Sequence, residues 1–199
     1  MSRRLVVCGA VVLALGSGMA LAEGLPGVSD GPGPNLVIEV GDASGNAKGT
    51  IVLDLFADKA PQHVARLVEL AKAGKYDGVV FHRVIDGFMA QTGDVRYGKA
   101  GADTGMAGMG GSDLPDLKAE INDMSFQAGT VGMARSQSLD SANSQFFIDL
   151  APATFLDDEY TVVGQLVDGW DVVSAIKKGE QDSGAVDAPD QMLKVTVQE

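Results

Sequence analysis

Short apolar runs, cut off by glycine, proline or acid–glycine pairs, divide residues 35–198, and helical spacing appears in only two places. Eight runs read as strands: NLVIEVG (35–41), GTIVLDLF (49–56), VVFHRVI (79–85), MAQTG (89–93), GTVGMAR (129–135), QFFID (145–149), TVVGQLV (161–167) and MLKVTVQ (192–198). In the second, Ile51, Leu53 and Leu55 alternate with Thr50, Val52 and Asp54, the period of a strand with one buried face. Pro61 opens a helical stretch, PQHVARLVELAKAG, in which Val64, Leu67, Val68 and Ala71 form an apolar stripe and Gly74 supplies the stop. A second helix is expected over 168–179, with Asp168 as its N-cap, lysines in its last turn and Gly179 after it. Strands and helices do not alternate, so the sheet should be mostly antiparallel. The expected fold is mainly β: a closed eight-stranded antiparallel β-barrel capped by two α-helices, an arrangement without exposed sheet edges. A two-sheet sandwich is the alternative.

The first 22 residues stand apart. Arg3 and Arg4 precede the apolar stretch LVVCGAVVLALGSGMALA (5–22), which ends in Ala20-Leu21-Ala22. A basic start, a hydrophobic segment and a small-x-small site mark a signal peptide, with cleavage expected after Ala22 and a periplasmic location for the remainder. Retention as a membrane anchor is the alternative, because the stretch approaches the ~20 residues that span a bilayer. Cleavage removes Arg3, Arg4 and the single cysteine, Cys8, leaving 13 basic against 27 acidic side chains, a formal charge of −14. Such a surface repels nucleic acid and anionic lipid. Without thiols, disulfide and cysteine chemistry are excluded. Residues 23–34, EGLPGVSDGPGP, hold little to bury and read as a flexible Gly/Pro-rich lead-in to a single domain over 35–199.

Several common chemistries lack their residues. His63 lies in the first helix and reads as a surface or half-buried structural residue, and His82 reads as locally hydrogen-bonded. Neither belongs to an HExxH motif or a His/Cys cluster, and there is no GxSxG elbow. The glycines at 98, 101, 105, 108, 110 and 111 match no phosphate-loop pattern and read as a surface loop. No metal or organic cofactor is implied.

What the sequence does offer is a cation in apolar surroundings. FHRVIDGFMAQTGD (81–94) places Arg83 among Phe81, Val84, Ile85, Phe88 and Met89. GTVGMARSQSLDSANSQFFIDL (129–150) and FLDDEYTVVGQL (155–166) add Met133, Ala134, Gln145, Phe146, Phe147, Phe155 and Leu156. Arginine and glutamine are seldom fully buried unless paired, yet Arg83, Gln91 and Gln145 sit in strand-like runs. An apolar pocket with a few convergent polar groups is the usual form of a ligand site.

These stretches resemble the cyclophilin-type peptidyl-prolyl cis–trans isomerases, in particular small secreted bacterial members. FHRVIDGFMAQTGD follows that family's FHRVIxGFMxQxGD pattern. SQFFI, FLD followed by a strand ending in VxG, and GWDVVSAI recur in the expected order, so the resemblance covers about residues 35–198. It implies an eight-stranded barrel with two helices and an enzyme that speeds rotation about X–Pro bonds in exported polypeptides. It assigns a proline pocket to Phe88, Met89, Phe147 and Leu156, and catalysis to Arg83. Gln91 and Gln145 would hold the substrate backbone and position the arginine, while Ala134 and the main chain of Arg135 would line the groove beside it. The 105–111 loop would border the pocket for the residue preceding proline.

Some positions depart from the pattern. Phe155 stands where many members have tryptophan, Tyr160 where many have histidine, and Arg135 and Ser136 replace a common asparagine and alanine. Without the indole N–H, tight cyclosporin binding is not expected, although Phe155 can still close an apolar wall and Tyr160 remains among the substrate-binding positions. The implied partners are proline-containing peptides and unfolded exported proteins, with no nucleic acid and no membrane once the signal is removed, and the implied state is a monomer. A non-catalytic proline-peptide-binding module is the alternative reading of the same groove.

Overall fold

The computed structural model describes residues 29–199; the expected signal peptide and most of the lead-in lie outside the described residues. Residues 31–34 run along β2, with the Gly31 N–H donating to Asp54 Oδ2 (3.0 Å) and the Leu55 N–H to the Pro34 carbonyl (3.1 Å). One antiparallel sheet holds nine strands: β1 (Asn35–Gly41), β2 (Ala47–Leu55), β3 (Val79–Val80), β4 (Arg83–Ile85), β5 (Met89–Thr92), β6 (Thr130–Met133), β7 (Phe146–Asp149), β8 (Val162–Asp168) and β9 (Gln191–Gln198). Their order is β3-β9-β1-β2-β8-β6-β7-β5-β4. Two helices, α1 (Pro61–Lys72) and α2 (Trp170–Ser174), and a 3-10 turn at Thr154–Leu156 complete the elements. None of the described helices is long and apolar enough to cross a membrane.

The ninth strand comes from one segment that changes partners. The two edge strands, β3 and β4, are separated in sequence only by Phe81 and His82, so the sheet curls back on itself. Val79–Val80 pairs with β9, whereas Arg83–Ile85 pairs with β5. Across and just after this break the backbone bonds to the chain before β9: Phe81 N–H to the Asp190 carbonyl, Val84 N–H of β4 to that of Gly184, and Val186 N–H to that of His82. Counted as one, the strands number eight. No ladder runs directly from β3 to β4, so the barrel expected from the sequence is a curled sheet with residues 79–85 as its seam.

Strand alternation divides the side chains between two apolar clusters. Leu36 and Ile38 of β1, Ile51 and Leu53 of β2, Val131 of β6, and Phe146 and Ile148 of β7 fill the main core. Both helices contribute to it, α1 through Val64, Leu67 and Leu70 and α2 through Val172 and Val173. Phe147 falls between two inward residues and faces the other way. With Met89, Phe126, Ala153, Leu156 and Val162 it builds a second cluster on the outside of the sheet.

Two local expectations are corrected by distant parts of the chain. His63 is fully buried rather than surface or half-buried. Glu120 folds over the start of α1, where its carboxylate accepts the Gln62 and His63 backbone N–H groups and lies 2.6 Å from His63 Nδ1. A carboxylate there satisfies donors that a helix N-terminus leaves unpaired. Burial alone would raise the Glu120 pKa, but the hydrogen bonds from His63 and Gln62 outweigh it and hold it low. The second helix is shorter than expected. It starts after Gly169, which takes a left-handed conformation (φ 86°), while Asp168 ends β8. It stops early because Asp190 Oδ2 captures the Lys177 N–H (2.8 Å) and the Val84 carbonyl captures that of Gly179 (2.9 Å).

Candidate active site

On the outer cluster, neighbouring strands align four residues in a row: Arg83 of β4 opposite Gln91 of β5, Gln91 opposite Phe147 of β7, and Phe147 opposite Gly132 of β6. Above this row lies a cavity of ≈ 330 Å³ lined by Arg83, Phe88, Met89, Gln91, Ala134, Arg135, Phe147, Phe155, Leu156 and Tyr160. All the site residues picked from the sequence except Gln145 therefore share one cavity. Gln145 lines a neighbouring one of ≈ 380 Å³, together with Gly108, Met109, Gly110 and Asn143. Gln91, Ala134 and Arg135 border both. The 3-10 turn sets two walls at once: Leu156 is buried, while Phe155 is 69% exposed at the rim, its ring 5.5 Å from that of Phe88.

The floor depends on a residue without a side chain. Phe147 stacks on Phe126 at 5.8 Å, and both rings lie over Gly132. A Cβ on Gly132 would sit 2.4 Å from Phe147 Cζ and 2.7 Å from Phe126 Cε1. Gly132→Ala is thus expected to displace the Phe147 ring, costing about 1–3 kcal/mol of stability, the usual penalty for overpacking, and weakening peptide binding. Urea unfolding and a peptide titration measure both effects; an unchanged midpoint with unchanged affinity would contradict the assignment of Gly132 as the space beneath the ring.

Arg83 is held without being neutralised. Its Nε donates to the Ser183 carbonyl (3.2 Å) and its Nη1 to Gln91 Oε1 (3.4 Å), with Met89 Sδ at 3.8 Å. Among the described residues no carboxylate pairs with it, and its Nη2 makes no protein hydrogen bond. The network continues from Gln91 Nε2 to Gln145 Oε1 (3.0 Å), and from Gln145 Nε2 to the carbonyls of Gly108 (3.0 Å) and Gly110 (2.7 Å). The arginine is thereby connected to the glycine-rich loop.

Asp94 anchors that loop, a role the sequence did not reveal. It is fully buried; Oδ2 accepts the Gly108 and Gly110 N–H groups, both at 2.8 Å, and Oδ1 accepts those of Arg96 and Tyr97. The signal available was its place at the end of the 81–94 motif, directly after Gly93. Residues 108–111 border the second cavity, whereas Thr104, Gly105 and Ala107 line a separate groove with His82. Neither ring nitrogen of His82 makes a well-formed hydrogen bond among the described residues, although the Val80 backbone and the Gln145 side chain lie close enough to favour its protonated form. The ring packs under Gly108, where a Cβ would come within 3.0 Å of it, and burial lowers its pKa despite the nearby Asp94.

The cavity thus presents an apolar floor of a size to hold a small ring, beside a cation and a line of amides suited to a peptide backbone. Comparison with known proteins agrees with that chemistry. The family model described as cyclophilin type peptidyl-prolyl cis-trans isomerase/CLD matches residues 36–197. A probable peptidyl-prolyl cis-trans isomerase of Brucella suis biovar 1 (strain 1330) is 53% identical over 153 residues, covering 75% of this chain and 78% of its own. A peptidyl-prolyl cis-trans isomerase of Helicobacter pylori (strain ATCC 700392 / 26695) is 40% identical over 137 residues, covering 67% of this chain and 77% of its own. In fold, the crystal structure of cyclophilin AquaCyp293 from Hirschia baltica superposes with a TM-score of 0.68 at 23% identity, covering 85% of this chain and 75% of that one. A curled antiparallel sheet with two helices, a greasy cavity beside an uncompensated arginine, and a family match spanning nearly all the described residues lead to one conclusion: this chain belongs to the cyclophilin-type peptidyl-prolyl cis–trans isomerases.

Proposed function

We propose that Arg83 drives the isomerisation by binding the half-rotated X–Pro bond more tightly than either planar isomer. Amide resonance sets a rotation barrier of about 18–20 kcal/mol. Uncatalysed X–Pro exchange takes on the order of tens to hundreds of seconds. At the midpoint of rotation conjugation is lost, and the nitrogen lone pair becomes localised and able to accept a hydrogen bond that the planar amide cannot. A donor aimed at that nitrogen stabilises the transition state selectively, and only such a difference raises kcat. Arginine suits this task because it stays charged and presents its donors in a rigid fork. Phe88, Met89, Phe147 and Leu156 grip the proline ring and exclude water, while Gln91 and Gln145 hold the substrate backbone. No covalent bond forms or breaks, so the reaction calls for no nucleophile.

One observation carries this reading: the Arg83 guanidinium borders the aromatic cavity with no carboxylate to neutralise it among the described residues. Arg83→Lys tests it. The ammonium keeps the charge but loses the fork, so NMR exchange spectroscopy on a short Ala–Pro peptide should show turnover reduced at least ~10-fold with peptide affinity retained. Wild-type turnover in this variant would refute the role of the fork.

The substrates are proposed to be exported polypeptides met in the periplasm. Support comes from residues 1–22, with their Arg3-Arg4 start, apolar stretch and Ala20-Leu21-Ala22 site. Cell fractionation with N-terminal sequencing should find a soluble periplasmic chain beginning at Glu23. A membrane-bound chain that keeps residues 1–22 would favour the anchor instead.

A further inference from the structure

We propose that the Arg135 side chain is a positioning residue, clamping Tyr160 against Phe147 so that the wall of the proline pocket is set before a peptide arrives. The proposal rests on the reading of the ≈ 330 Å³ cavity as the proline pocket. It gives the side chain, and not only the backbone, of Arg135 a task.

The guanidinium is almost fully engaged. Nε and Nη2 both donate to the Glu159 carbonyl (3.2 and 3.1 Å), Nη1 donates to the Ser136 carbonyl (3.0 Å), and Nη2 lies 3.4 Å from the Glu159 carboxylate. Its flat face sits over Tyr160, with Cζ 4.3 Å from the ring centroid. The Arg135 side chain is only 13% exposed, although it borders both cavities. Tyr160 in turn meets Phe147 edge to face, at 5.9 Å and 85°. Cation, tyrosine and phenylalanine therefore form one continuous stack from the ridge between the cavities down to the floor of the proline pocket.

The contacts made explain why an arginine stands here. A planar fork can bind one carbonyl through two N–H groups while its face stacks on an aromatic ring; a lysine ammonium can do only one of these at a time. The clamp joins the chain leaving β6 to the chain after the 3-10 turn, two segments with no strand pairing where they face each other across the cavity. Without it, Tyr160 has freedom to swing, and ordering it falls to the peptide. That cost appears in binding and not in the rotation step, because Arg83, Gln91 and Gln145 are bonded to one another independently of Arg135.

The test is a double-substitution cycle read as KM and kcat for a short Ala–Pro peptide, with circular dichroism confirming the fold. Arg135→Gln and Tyr160→Leu should each raise KM about three- to tenfold, the range of a half-buried cation–π contact, with the loss confined to KM. Combining them should raise KM no further than the larger single change. Tyr160→Phe, which keeps the stacked face, should raise KM less than Tyr160→Leu, and Arg135→Lys should lose most of what Arg135→Gln loses. If Arg135→Gln does not fold, Arg135→Lys and Tyr160→Leu give the same reading through KM. An unchanged KM in a folded Arg135 variant, a loss carried by kcat, or single effects that multiply in the double variant would each overturn the clamp. Such a failure leaves the Arg83 assignment standing, because that assignment is read in kcat.

Discussion

Asp149→Asn is expected to make the protein more stable at pH 7, by on the order of 4 kcal/mol, and to flatten its pH dependence. Asp149 ends β7, in register with Met89 of β5, and is fully buried beside the outer apolar cluster. Neither of its carboxyl oxygens finds a hydrogen-bond partner among the described residues. Burial, reinforced by the nearby Asp157 carboxylate, pushes its pKa up to about 8. Asp157 itself accepts the Phe126 N–H and the Ser125 hydroxyl.

The sign of the effect follows from proton counting. Below pH 3.8 the carboxyl is protonated in both folded and unfolded chains. Between there and about 8 the folded chain keeps the proton that the unfolded chain releases, so folding takes up a proton and stability falls as pH rises. The slope is about 1.4 kcal/mol per pH unit, which over the span to pH 7 gives the figure above. Asparagine approximates the neutral acid in shape and polarity but needs no proton, so the variant should escape the penalty. Urea unfolding at pH 5, 6, 7 and 8 measures this. Identical pH dependence in wild type and Asp149→Asn would show that Asp149 is ionised in the folded protein.

Arg83→Ala should lower turnover by roughly 10²–10³, the cost of removing one preorganised donor aimed at the transition state. Affinity for a proline peptide should fall much less, because the apolar lining of the cavity proposed to take the ring, Phe88, Met89, Phe147 and Leu156, is left intact. The fold should also persist. Arg83 is half-buried, and its substitution removes hydrogen bonds to the Ser183 carbonyl and to Gln91 Oε1, while Gln91 keeps its partner Gln145. A loss of activity with binding and stability retained separates a transition-state role from a structural one.

The parts of this molecule legible in the sequence were those set by local periodicity. The alternation in 49–56 located β2 and its buried face, and Pro61 and Gly74 bracketed α1. What stayed hidden depended on partners far along the chain. Residues 79–85 look like one strand because they form one uninterrupted run, rich in β-branched and aromatic residues, with no glycine or proline in it; their division into β3 and β4 reflects a change from β9 to β5 as neighbour. His63 looks like a surface residue of an amphipathic helix until Glu120, 57 positions later, closes over it. Lysines in 168–179 suggest a helix C-terminus, but the hydrogen bond from the Lys177 backbone to Asp190 ends the helix sooner.

The site divides in the same way. Arg83, Phe88, Met89 and Gln91 could be picked out because they crowd into one short motif, and Phe147, Phe155 and Leu156 because the resemblance marks them. Asp94 and Gly132 could not. One works by accepting backbone N–H groups from a loop more than ten residues away, the other by offering no side chain where Phe147 needs room. Asp149 reads as an ordinary polar strand end, and only the packing around it turns it into a carboxyl without a partner.

The most direct test of Arg83 as the engine of rotation is NMR exchange spectroscopy at saturating Ala–Pro peptide, run on wild type and Arg83→Ala side by side. At saturation, differences in affinity drop out and only the rate on the enzyme remains. The predicted result is a bound peptide whose cis–trans exchange is at least 100-fold slower in the variant. A bound peptide exchanging at the wild-type rate would contradict the account, and would place the acceleration in the apolar cavity instead of the guanidinium.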